Sequence, residues 1–164
     1  MKTLYLVRHS KSDWVNKEIN DIDRPLSDRG YRDAYHMSNL LVEKRNIPEI
    51  IITSPATRAL STAFIFARRL NISLEKIALK EGIYEARVEQ FINMLQEIKD
   101  EHGAVMVFGH NSTITDLANQ LGDCQIKLIP TSGVVCLDFN INSWKEINNN
   151  LGSLKFFEYP KKQL

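Results

Sequence analysis

Four short stretches carry residues whose types suit one chemistry. The apolar run LYLV at residues 4–7 ends on Arg8 and His9. A second apolar run leads into Ser54-Pro55-Ala56-Thr57-Arg58, a third into Gly82-Ile83-Tyr84-Glu85-Ala86, and a fourth into Gly109-His110-Asn111. Two guanidiniums are planar, permanently charged forks matched to phosphate oxygens. Each charge-assisted hydrogen bond they make contributes about 1.5–3 kcal/mol. An imidazole that is neutral and oriented is a nucleophile near neutral pH. A second, protonated imidazole stabilises charge gathering on the equatorial oxygens of a transferring phosphoryl group. Taken singly, each residue has a plainer reading. A histidine at a strand end is commonly structural or solvated, and an arginine in a first helical turn opposes the helix dipole. Arg58 has a reason to be there if an anion shares that helix end. As a set, two arginines, two histidines and a carboxylate point to phosphoryl transfer.

Other phosphate-handling designs do not fit. No GxxxxGK[ST] loop occurs, so a P-loop is excluded. Neither Cys124 nor Cys136 precedes a phosphate-cradling loop that ends in arginine. Asp21-Ile22-Asp23 resembles an aspartate-nucleophile pair but follows the polar stretch NKEIN, not a strand. His9 and His110 lack a companion acid cluster at ligand spacing, so neither a metal nor another cofactor is expected. His36 falls off the apolar stripe of its segment and His102 lies in a polar turn, so both read as solvated.

Something must bring these residues together. Apolar runs at 3–7, 49–53, 76–79, 104–108 and 134–139 read as buried strands, with a sixth at 154–158. Between them lie helical stripes: Tyr31, Ala34, Tyr35, Ser38, Leu41 and Val42; then Leu60, Ala63, Phe64, Ala67 and Leu70; then Val88, Phe91, Ile92, Leu95 and Ile98; then Ile114, Leu117, Ala118 and Leu121. Ser27 is the expected N-cap of the first helix, and Ser54-Pro55 the cap and first position of the second. Asn111 reads as a cap for the fourth. This alternation predicts a three-layer α/β/α fold with a mostly parallel central sheet. In such sheets ligands bind outside the carboxyl ends of the strands, where all four stretches emerge.

The 164 residues suit one domain spanning the whole chain, with 43% hydrophobic and 25% charged residues. Lys plus Arg number 21 against 20 Asp plus Glu, a balance that gives no global field for nucleic acid or a membrane surface. The opening MKTLYLV breaks at Arg8, too short for a signal-peptide core. No apolar run approaches the ~18 residues of a spanning helix. Both cysteines are expected as reduced thiols, and the cytoplasm is the expected compartment.

The motifs LVRHS, SPATRA and GHN, in that order, resemble the histidine phosphatase superfamily with its phosphoglycerate mutase-like fold. RHSKSDW, DIDRPLSDRG, IYEA and FFEYPKK are similar to the small SixA-type phosphohistidine phosphatases, and the resemblance runs from about residue 2 to 162. It implies that His9 is the nucleophile, forming a phosphohistidine intermediate that water cleaves. Arg8, Arg58 and His110 would form the phosphate pocket. Glu85 lies where mutase-related members place a proton donor, although it also reads as a helix-entry acid near Val88. Where the family has glycine after the Arg-His pair, this chain has Ser10. Arg24 reads as a structural or surface residue, and Trp14 as packing or as the mouth of the pocket. The connections at 10–26 and 80–87 are too short for a substantial lid, which favours hydrolysis and access by a phosphorylated side chain. A metal-independent phosphatase acting on protein phosphohistidine, on a partner such as a histidine phosphotransfer domain, is the leading expectation. A small-molecule phosphomonoesterase or phosphomutase, or a non-catalytic phosphate-binding module, are the alternatives.

Overall fold

The structure is a computed structural model that describes residues 1–163. Its elements run β1 (Lys2–Arg8), α1 (Asp28–Glu43), β2 (Ile50–Thr53), α2 (Thr57–Arg69), β3 (Ile77–Leu79), α3 (Val88–Gln96), β4 (Ala104–Gly109), α4 (Thr113–Leu121), β5 (Val134–Phe139) and β6 (Gly152–Glu158). The six strands form one sheet in the order β3-β2-β4-β1-β5-β6. β3, β2, β4 and β1 are mutually parallel, and β5 runs antiparallel to both of its neighbours.

This order explains where a ligand would sit. From β1 the chain crosses to β2 and on to the β3 edge, returns to β4, and then passes to β5 on the other side of β1. The connections that leave β1 and β4 therefore diverge, although the two strands are neighbours. Such a reversal point opens a crevice at the carboxyl ends of the strands.

Strand alternation sends side chains to two cores. Leu4, Leu6, Val105 and Val107 pack with α3, α4 and Trp144 on one face. Tyr5, Val7, Met106 and Phe108 pack with α1 and α2 on the other. The expected three layers are thus present, with helices on both faces. Of the free thiols, Cys136 is buried on the α1–α2 face, where desolvation and Asp138 push it up to about 12.

The apolar stripes of α3 and α4 lie inside as expected, whereas α1 is turned. Its buried residues are Gly30, Ala34, Met37, Ser38 and Leu41, while Tyr31, Tyr35 and Val42 are exposed. The reason is close approach. A Cβ on Gly30 would stand 2.1 Å from the Lys11 carbonyl oxygen, so only glycine lets α1 lie against the loop that follows His9. Ser27 does cap α1, accepting from the Gly30 N–H at 3.1 Å. Helix α2 begins at Thr57, two residues later than the Ser54-Pro55 cap predicts, and Phe64 is exposed while Thr62, Ile65 and Phe66 are buried.

Gly30→Ala tests that approach. Alanine would gain about 1 kcal/mol in helix propensity, but the backbone collision cannot be relieved by a rotamer. The expected net cost is about 2–3 kcal/mol, read as a lowered urea midpoint at unchanged m-value. A stabilised variant would contradict the packing.

Candidate active site

Arg8 and Gly109 are register partners at the ends of β1 and β4, so His9 and His110 leave the sheet side by side. Their rings lie 5.2 Å apart between centroids, inclined at 50°. Arg58, in the first turn of α2, is buried.

His9 is 8% exposed. Its Nδ1 lies 2.7 Å from the Ser10 carbonyl oxygen. A carbonyl only accepts, so Nδ1 carries the proton and Nε2 keeps its lone pair. Burial, followed by the neighbouring His110, Arg58 and Arg8, lowers its pKa to about 3 against the raising effect of the Ser10 bond. The ring is therefore neutral at physiological pH.

Ser10, the departure from the family glycine, is a fully buried clamp. Its N–H donates to Thr62 Oγ1 at 3.0 Å, and Thr62 in turn donates to the Arg58 carbonyl at 2.7 Å. Its hydroxyl pairs with Ser132 Oγ, and the Ser132 N–H reaches the carbonyls of Arg8 and His9 at 3.1 and 3.2 Å. The carbonyl that orients His9 is thereby tied to both α2 and the loop before β5.

His110 Nε2 is 2.8 Å from Ser54 Oγ, which explains why Ser54 is not a helix cap; it also accepts from the Ala56 N–H at 3.2 Å. Burial and then Arg58 push His110 down to about 4, with Arg8 and Arg24 adding to the effect and Asp21 opposing it. Arg8 donates to the Ile129 carbonyl at 3.0 Å and is ion-paired with no carboxylate among the described residues. Arg24 and Arg58 share a single carboxylate, Asp21. Three guanidiniums against one carboxylate leave two positive charges uncompensated. The Nε atoms of all three arginines and His110 Nδ1 are buried without a partner among the described residues, a costly arrangement unless an anion completes it.

The two short connections meet at the rim. Asp21 accepts from Arg58 through its carbonyl at 2.7 Å and through Oδ2 at 3.0 Å, and from Arg24 through Oδ1 at 2.7 Å. The Tyr84 hydroxyl also donates to Oδ2, and the Tyr84 ring stands edge-on to His110 at 5.6 Å. Arg24 is buried, bonded to Ser12 Oγ and stacked 3.4 Å from the Trp14 ring centroid, so it belongs to the site's edge and not to the open surface. Glu85 is exposed, with no hydrogen bond or ion pair among the described residues; its neighbour Tyr84 makes the contacts. Asn111 does not cap α4: its amide donates to the Ile129 carbonyl and its oxygen accepts from Thr115. Asp21, Ser54, Thr62, Tyr84 and Ser132 were outside the expected set. Three of them lie in stretches that the sequence singles out for other reasons: Asp21 in the DID pair, Ser54 as a helix cap and Tyr84 beside Glu85.

The two depressed histidines set an acid limit on stability. Above about pH 6.5 an unfolded histidine is neutral like the folded one, so stability is undiminished there. Below it, the unfolded chain takes up protons that folded His9 and His110 refuse until about pH 3 and 4. Each then costs up to about 1.4 kcal/mol per pH unit. Urea midpoints should fall as pH drops from about 6.5 to 4.5, less steeply in His9→Gln, by about one proton's slope. Equal slopes would contradict the buried, neutral ring.

Among the described residues, no three His, Cys, Asp or Glu side chains gather into a metal-binding group, and no helix is long and apolar enough to cross a membrane. SixA from Agrobacterium tumefaciens superposes with a TM-score of 0.81 at 27% identity, covering 97% of this chain and 98% of that one. The protein histidine phosphatase SixA complexed with tungstate superposes at 0.84 with 19% identity and 99% coverage of both chains, a likeness of fold. Phosphoglycerate mutase 1 of Saccharomyces cerevisiae is 38% identical over 78 residues, 46% of this chain but only 29% of the mutase. Residues 4–86, which carry Arg8, His9, Arg58 and Glu85, match the model of the histidine phosphatase superfamily (branch 1), and the chain belongs to that superfamily.

Proposed function

We propose that this protein is a metal-independent phosphatase in which His9 is the nucleophile and protein-borne phosphohistidine the substrate. The observation that carries the reading is the neutral His9 ring, its Nδ1–H held by the Ser10 carbonyl, among guanidiniums with two uncompensated charges. Nε2 attacks phosphorus in line and the leaving group departs. Water then attacks the phosphohistidine formed on His9 and releases phosphate, returning Nε2 to its free state. Arg8 and Arg58 hold the equatorial oxygens. A dianionic phosphoryl group beside His110 raises its pKa again, so the second imidazole becomes a donor when substrate is bound. Glu85, exposed on the 80–87 connection, is the candidate general acid, giving a proton to an ester leaving group from its carboxylic acid form.

The short connections at 10–26 and 80–87 leave room for a side chain presented by another protein, which supports phosphohistidine over a small enclosed substrate. Likeness to the yeast mutase favours a second reading, transfer to an acceptor other than water, though it covers under a third of that enzyme. The test is incubation with a phosphohistidine-bearing phosphotransfer protein and with p-nitrophenyl phosphate, in chelator. Inorganic phosphate should appear from both, faster from the phosphoprotein. Phosphate moved to an added alcohol without free phosphate would favour the mutase reading, and no release from either would end the phosphatase reading.

A further inference from the structure

The phosphate site accounts for Ser10 and for the hold of Asp21 on Arg58, but not for the stretch from Trp14 to Ile19. That stretch borders a cavity of about 340 Å³ lined by Trp14, Asn16, Lys17, Ile19, Asp21 and Arg24. Asp21 stands where this cavity meets the phosphate pocket. On one side its carbonyl and Oδ2 hold Arg58, while on the other Oδ1 holds Arg24. Its side chain is nevertheless 50% exposed, with acceptor capacity left over on Oδ1. One face of Trp14 stacks on Arg24, yet the residue is 63% exposed, so aromatic surface remains open beside the carboxylate.

We propose that Asp21 is a specificity-determining residue that accepts the ring N–H of a phosphorylated imidazole and so selects phosphohistidine over phosphate esters; this rests on the function proposed above. When His9 Nε2 forms its bond to phosphorus, the substrate's P–N bond breaks and its electron pair stays on the leaving ring nitrogen. If the other ring nitrogen carries a proton, the ring departs as neutral imidazole. Without that proton it would have to depart as imidazolate. A carboxylate that accepts the N–H keeps the proton in place. His9 meets the same requirement on the enzyme's side, since its Nδ1–H stays on the Ser10 carbonyl while Nε2 takes the phosphoryl group. The two imidazoles that exchange phosphorus are thus each steadied at the far nitrogen by a fixed oxygen.

An ester behaves in the opposite way. Its leaving oxygen gathers negative charge and needs a proton. The Tyr84 hydroxyl, with Arg24 and Arg58, holds Asp21 well below the usual carboxylate range, so Asp21 has no proton to give. Its charge repels the departing oxyanion.

The experiment compares kcat/KM for a phosphohistidine peptide and for p-nitrophenyl phosphate in wild type, Asp21→Asn and Asp21→Glu. The ratio of the two should fall at least tenfold in Asp21→Asn and largely recover in Asp21→Glu. The alkaline limb of the phosphohistidine profile should also move to lower pH in Asp21→Asn, because the substrate ring then loses its proton more easily. Wild type gives a reading that needs no variant: its alkaline limb should lie above the ring titration of the free phosphohistidine peptide followed by NMR. Equal losses on both substrates, or a limb at the free-peptide value, would overturn the Asp21 assignment alone. A wild-type enzyme that cleaves the ester but no phosphoramidate would overturn the proposed substrate class with it.

Discussion

Replacing His9 with alanine should lower single-turnover phosphate release by about 10⁴-fold or more, the scale seen when a covalent nucleophile is removed. That is about 5.5 kcal/mol of transition-state stabilisation. The neighbours are poorly suited to take over the attack: the His110 ring, whose Nδ1 has no partner among the described residues, becomes a proton donor once a phosphoryl group is bound. Ser10 Oγ is buried against Ser132, and His110 Nε2 is engaged by Ser54. Cys136 lies in the core with its thiol pushed up to about 12. The guanidiniums of Arg8, Arg24 and Arg58 are untouched by the change, so affinity for inorganic phosphate should stay within a few-fold, checked by a thermal shift with added phosphate. A mutant that binds phosphate but does not turn over would separate chemistry from binding. Residual activity above a few per cent would assign the attack elsewhere.

Arg58→Ala should reduce kcat/KM by about 10²–10³-fold, because two charge-assisted hydrogen bonds of roughly 1.5–3 kcal/mol each are lost. The effect should be visible in phosphate affinity as well as in turnover, unlike that of His9→Ala. Arg58 also anchors Asp21 through both ends of its guanidinium. Lysine keeps the charge but not the fork, so Arg58→Lys should recover only part of the loss. Full recovery would mean that a point charge suffices there and would weaken the bidentate assignment. A loss below about fivefold for Arg58→Ala would remove Arg58 from the phosphate pocket.

Periodicity made much of this fold legible in the sequence. Strands β1 and β4 are uninterrupted apolar runs, and alternation along them sends Leu4 and Leu6 to one core, Tyr5 and Val7 to the other. The stripes of α3 and α4 are equally plain. In helix α1 the expected stripe is right at Ala34, Ser38 and Leu41 and wrong at Tyr31, Tyr35 and Val42, because the amphipathic pattern is broad and the buried face is shifted toward Gly30 and Met37. What turns the helix is steric, a missing Cβ at Gly30 against the Lys11 backbone, and hydropathy does not record that.

For the site, residues that directly follow strands could be found, since a parallel sheet brings those ends together. Arg8, His9 and His110 lie at or just past strand ends, and Arg58 lies in the helix turn that follows β2. The pairs that orient them are not legible in that way. Ser132 reaches Ser10 across 122 positions, Ser54 reaches His110 across 56, and Tyr84 reaches Asp21 across 63. Serine and tyrosine are too common for such pairs to stand out before the chain is folded. Ser10 stands out in the sequence only as a departure from the family glycine, and it is the residue whose carbonyl fixes the tautomer of His9. Arg24 reads as structural or surface in the sequence and Trp14 as packing or the mouth of the pocket; together they form one wall of the cavity beside the pocket.

The central claim is a covalent phosphoryl bond to His9, and trapping it is the most direct measurement. Enzyme mixed with a ³²P-labelled phosphohistidine protein, quenched within one turnover in alkali and mapped by mass spectrometry, should carry the label on His9 Nε2. That label should be stable in alkali, lost in acid and absent from His9→Ala. Label found on Ser10, Asp21 or a cysteine, or full phosphate release with no covalent species at any quench time, would contradict the account.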